Sequence, residues 1–155
     1  MTYLVLKYLH VLGAVVILGT GIGIAFFMVM AHRSRDPRHI ARTAGTVVLA
    51  DIVFTATAVI VQPVTGGLLL HELDLPLEEA WVLASLALYA LAGACWLPVV
   101  WMQARMRDLA EEAAANGSAL PARYHQLYRL WFLLGFPGFG SVIVILWLML
   151  AKPSF

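Results

Sequence analysis

VLGAVVILGTGIGIAFFMVMA, residues 11–31, is the stretch whose reading decides the fold. It carries no charged side chain and runs directly into His32-Arg33. A helix rises about 1.5 Å per residue, so a run of this length crosses the ~30 Å hydrocarbon layer of a bilayer. A secretory signal would have a shorter apolar core and a small-residue cleavage site, so this run reads as a retained span. His10 stands at its N-terminal end, and Lys7 lies one helical turn earlier. Ionisable groups in such helices are costly to bury and turn toward protein, which makes His10 the first candidate functional residue. Histidine is also a common axial ligand of haem iron.

Working outward, the same pattern repeats. The chain has 155 residues, 62% of them hydrophobic and 12% charged, against about a quarter charged in a soluble domain. Residues 1–155 read as a single integral membrane domain, with spans over about 4–31, 43–70, 80–102 and 130–151. The fold class is all-α: a polytopic four-helix antiparallel bundle with both termini on one side. Pro63, Gly66 and Gly67 are expected to kink or end the second helix. Gly135, Pro137, Gly138, Gly140 and Ser141 are expected to interrupt a regular helix in the fourth. Arg105 to Ala115 reads as a helical extension of span three, ended by Asn116-Gly117-Ser118.

Loop charges set the orientation. The first connection holds Arg33, Arg35, Arg38 and Arg42; the third region holds Arg105, Arg107, Arg123 and Arg129. The second holds Glu72, Asp74, Glu78 and Glu79 and no Lys or Arg. The basic connections are expected in the cytoplasm, the acidic one and both termini outside, in a bacterial cytoplasmic membrane. The arginines serve this orientation; a lipid-binding patch is the other use of such a cluster. The bilayer is the first partner, and another membrane protein or a second copy the next; no nucleic acid is expected. A lone cysteine, Cys95, excludes an intrachain disulfide and reads as a small buried hydrophobe.

Polar groups inside the spans are the candidates for chemistry. Asp51, Thr55, Gln62 and Thr65 lie at offsets of 4, 11 and 14 from the first. At ~100° per residue they share one face, which should point into the bundle. Either Asp51 pairs with an arginine such as Arg42 or Arg129 while the others bond between helices, or the stripe lines a proton or cofactor path. Span three places Ser85, Tyr89 and Trp96 on one face. His32, His39 and His125 fall in the basic connections and read as solvated. His71 follows span two on the same side as His10; a fold-back of residues 63–70 would let it complete a six-coordinate haem.

Residues 1–21, MTYLVLKYLHVLGAVVILGTG, and the end from Tyr128-Arg129-Leu130 to Ala151-Lys152-Pro153-Ser154-Phe155 resemble a family of predicted bacterial integral membrane proteins with no assigned function. Residues 50–55, ADIVFT, and 62–66, QPVTG, resemble that family's internal motifs. More distantly, the chain is similar to the bacterial membrane-bound protoporphyrinogen oxidase and to copper-resistance D-like membrane proteins. The oxidase pieces are Lys7-x-x-His10, the basic loop after span one and the terminal Lys152-Pro153. The resemblance implies haem b, with His10 as axial ligand and Lys7 near a propionate. The oxidase's Asn-Glu-x-Pro-Thr type motif is replaced here by the apolar Leu133-Leu134-Gly135-Phe136-Pro137, so the resemblance carries haem binding further than oxidase activity. The expectation is a haem b-binding membrane protein with a redox or porphyrin-related role, and a haem-dependent oxidoreductase if it is an enzyme. A cofactor-free accessory or scaffold subunit, or a component of small-molecule or metal transport using Asp51 and Gln62, are the alternatives.

Overall fold

A computed structural model describes residues 1–153; Ser154 and Phe155, part of the terminal stretch that carries the resemblance, lie outside the described residues. The described chain folds as four helices: α1 (Thr2–Ser34), α2 (Pro37–Glu72), α3 (Ala80–Asn116) and α4 (Ala122–Ala151). Each is long and apolar enough to cross a membrane, and together they form the expected all-helical bundle. Short connections force antiparallel neighbours. Arg35 closes α1 with a left-handed φ of 58°, and the Asp36 carboxylate accepts the Arg38 N–H at 3.0 Å, with Pro37 in the first turn of α2. Gly117, at φ 61°, ends α3, and the Ser118 N–H returns to the Ala113 carbonyl at 3.0 Å. A side chain would strain that left-handed position; glycine does not.

The core sits at the basic end. Met28 of α1, Ile40 and Ala44 of α2, Met106 and Ala110 of α3, and Tyr124 and Leu127 of α4 are all buried there. The start of α2 buries Ile40, Ala41, Ala44 and Val47 while exposing Arg38 and Arg42. The end of α3 buries Met106, Leu109 and Ala113 while exposing Arg105 and Glu112. These amphipathic ends face water, so burial of apolar area drives their packing. Further along, the helices are apolar all round and expose Val15, Phe26, Phe54 and Leu133 as lipid-facing side chains. There the helices are held by close packing and interhelical hydrogen bonds, because lipid is as apolar as leucine. A smaller cluster of Trp81, Val82 and Leu148 closes the acidic end.

Two expected breaks are absent. α2 continues through Pro63, Gly66 and Gly67 to Glu72. Proline lacks the N–H that would bond to the carbonyl four residues back. That carbonyl belongs to Val59, and the Tyr89 hydroxyl of α3 donates to it instead. The missing partner is replaced across the helix interface, so the helix has no reason to stop. Tyr89→Phe is therefore expected to destabilise the bundle by about 1 kcal/mol, read as a lower midpoint in detergent-induced unfolding. α4 also runs without interruption past Pro137. Its glycines instead admit a neighbour: a Cβ on Gly138 would lie 3.3 Å from the Cys95 Cβ of α3.

The break that does occur is of another kind. Asp51–Thr55 forms a π turn inside α2. Such a turn inserts a residue into the helix and sets the phase beyond it back by about 100°. The four polar residues of α2 therefore do not share one face. Asp51 points toward α3, and Gln62 and Thr65 toward α1, as their partners show.

Candidate functional site

α1 and the second half of α2 meet through His10, Gln62 and Thr65. The Gln62 amide donates to the His10 backbone carbonyl at 2.7 Å. The Thr65 hydroxyl donates to the Val61 carbonyl at 2.8 Å and lies 2.9 Å from His10 Nδ1. A hydroxyl has one proton, so with Val61 taking it, Thr65 accepts from Nδ1–H. In that arrangement the neutral imidazole is the Nδ1–H tautomer; in either tautomer Nε2 is without a partner among the described residues. Metal-bound histidines show this arrangement, one ring nitrogen oriented by a hydrogen bond and the other free to coordinate.

Two glycines make the approach close enough. A Cβ on Gly13 would fall 2.6 Å from Gln62 Nε2, and one on Gly66 would lie 3.3 Å from His10 Cε1. The imidazole therefore lies directly against the backbone of α2. Lys7 lies nearer the acidic end, with its Nζ 5.6 Å from the centre of the Tyr3 ring. His71 is exposed in the last turn of the uninterrupted α2. It stands six residues beyond Thr65, about 9 Å along the axis. The structure brings together His10, Gln62 and Thr65; it leaves Lys7 and His71 outside that contact.

A second polar cluster lies deeper, on the π turn. Asp51 is buried and accepts from Trp96 Nε1 of α3 at 3.3 Å. With its amide oriented to satisfy both ends, the fully buried Gln103 donates to Asp51 Oδ2 at 2.7 Å and accepts from Trp131 Nε1 of α4 at 3.1 Å. The carboxylate is thus held by neutral N–H donors rather than by Arg42 or Arg129, which are exposed. The Thr55 hydroxyl is buried beside this turn and has no partner among the described residues. The arrangement links α2, α3 and α4 through one acid group.

Gln103, Trp96 and Trp131 act together here in a way their positions only partly announce. Gln103 follows the apolar run of span three and looks like the first residue outside it. The signal is its spacing: seven residues from Trp96, two helical turns, which returns to the same face. His32 also departs from expectation. It is not a solvated loop residue but stacks on Tyr128 with ring centres 3.6 Å apart, and its Nδ1 lies 3.3 Å from the Tyr124 hydroxyl. His39 and His125 are exposed.

Residues 4–153 match the model of a family described as a predicted integral membrane protein (DUF2269), and the chain belongs to that family. Among curated proteins and solved structures, none matches it.

Proposed function

We propose that this family member is a haem b-binding protein of a bacterial cytoplasmic membrane, with a redox or porphyrin-related role and His10 as an axial ligand. The observation that carries the reading is the Thr65 contact, which engages His10 Nδ1 and leaves Nε2 without a partner among the described residues. The donor set suits this group. A porphyrin supplies four ligands itself and asks the protein for one or two. Lys7 suits a propionate at the membrane edge, the role implied by the Lys7-x-x-His10 resemblance. Haem would supply one-electron chemistry; His10 would anchor it, and Thr65 and Gln62 would hold the ligand in register.

Protein purified in mild detergent should show a Soret band. His10→Ala should abolish it, and Thr65→Val, which removes the orienting hydroxyl, should lower haem affinity by about tenfold or more. His71→Ala should leave the band in place, because His71 stands apart from the contact. A colourless wild-type preparation that stays colourless after haem addition would sink the reading. That result, with His10→Ala tolerated, would favour the second one: a cofactor-free accessory subunit. Its supporting observation is the start of α1, where Leu4, Val5, Tyr8 and Val11 are exposed and a membrane partner or second copy would cover them.

A further inference from the structure

The basic end holds a cleft that the haem reading does not use. It measures about 850 Å³ and lies between the α1–α2 turn and the α3–α4 connection. His32, Arg33 and Arg35 line one side; Ser118, Leu120 and His125 line the other. No acidic side chain lines it. Among the described residues the ion pairs belong to Arg107, so Arg33 and Arg35 carry uncompensated charge.

The cleft is built rather than incidental. Arg35 occupies a left-handed position that turns the chain, and its N–H bonds to the His32 carbonyl at 3.3 Å. His32, just past the apolar run, is clamped between α1 and α4 by Tyr124 and Tyr128. The Tyr124 hydroxyl lies 3.3 Å from His32 Nδ1 and orients the ring. With Nδ1 engaged, Nε2 is the ring nitrogen left for a ligand. His32, Arg33, Arg35 and His125 thus gather around the cleft with no carboxylate among them. An anion relieves such crowding. Guanidinium groups and a ring nitrogen suit the several oxygens of a phosphate.

We propose that this cleft binds a phosphate group, held by Arg33 and Arg35 with His32 as a third donor. The shared chemistry is the phosphate, carried by an anionic lipid headgroup or by a soluble phosphate compound. The position of His32 at the end of a span puts the cleft at the level of lipid phosphates and also open to water.

The test uses the full chain in neutral detergent, in two arms. One titrates inorganic pyrophosphate by calorimetry. The other measures retention of phosphatidylglycerol against phosphatidylcholine by native mass spectrometry. Saturable binding is expected in at least one arm, and the arm that responds identifies the source. Arg33→Gln with Arg35→Gln should weaken it at least tenfold, while the charge-matched Arg105→Gln with Arg129→Gln should leave it within twofold. Ser118→Glu, which adds a carboxylate to the opposite wall, should abolish binding and serves if the arginine pair does not fold. No saturable binding in either arm overturns the proposal. Equal losses in the two arginine pairs also overturn it, since they would mean diffuse attraction to a basic surface.

Discussion

Gln103→Leu is expected to destabilise the protein by about 2–4 kcal/mol, through one lost hydrogen bond to a buried carboxyl group and one orphaned donor. Leucine fills nearly the same space, so no large cavity opens. What is lost is polar. Gln103 donates to Asp51 Oδ2 and accepts from Trp131 Nε1, and it is fully buried. Removing it leaves the buried Asp51 with Trp96 Nε1 as its remaining donor from α3 and leaves the Trp131 N–H with no acceptor. Ordinary interhelical hydrogen bonds in bilayers average about 0.6 kcal/mol, because the separated helices find other partners. A buried carboxylate has fewer alternatives, which is why this substitution should exceed that average. The measurement is the unfolding midpoint in bicelles or mixed micelles. A change no larger than that of Tyr89→Phe would show that Asp51 does not depend on Gln103.

The double variant separates polarity from packing. Asp51→Leu removes the carboxyl group that needs the donors. Replacing both members of a buried polar pair with apolar groups is often close to neutral, whereas removing one is not. Gln103→Leu in an Asp51→Leu background should therefore cost about 1–2 kcal/mol less than in the wild type. The remaining cost belongs to the Trp131 N–H, which is orphaned in both backgrounds.

The bundle itself was legible because long uncharged runs can satisfy their backbone in lipid only as helices. Proline and glycine misled because their cost is local and their remedy is not. Nothing near Pro63 announces that Tyr89, on another helix, will supply the missing donor. The grouping of Asp51, Thr55, Gln62 and Thr65 failed for a related reason: period arithmetic assumes one uninterrupted helix, and a single π turn redirects everything beyond it. The individual residues were found because intramembrane polarity is conspicuous. Their partners were not, because Gln103 and His32 sit at span ends where polar side chains are ordinary. The His10–Thr65 pairing joins residues 55 positions apart and depends on helix register, which no local pattern encodes.

Gly13→Val is expected to disrupt the contact between α1 and α2 more than any other single glycine replacement. The first carbon of the new side chain would fall 2.6 Å from Gln62 Nε2, well inside contact distance. The Gln62 amide must then leave the His10 carbonyl, or the two helices must separate. Separation of the helices also carries Thr65, one turn further along the same helix, away from Nδ1. Overpacking of this kind destabilises by about 1–3 kcal/mol. Gly19→Val is the control on the same helix, because nothing lies within 4 Å of a Cβ there. The pair should differ in two readouts: the unfolding midpoint, lowered in the first and little changed in the second, and the Soret absorbance per protein, reduced only in the first. A lowered midpoint with unchanged absorbance would keep the helix contact and remove its link to haem. Equal behaviour of the two variants would mean that Gly13 does not hold α1 against α2 at all.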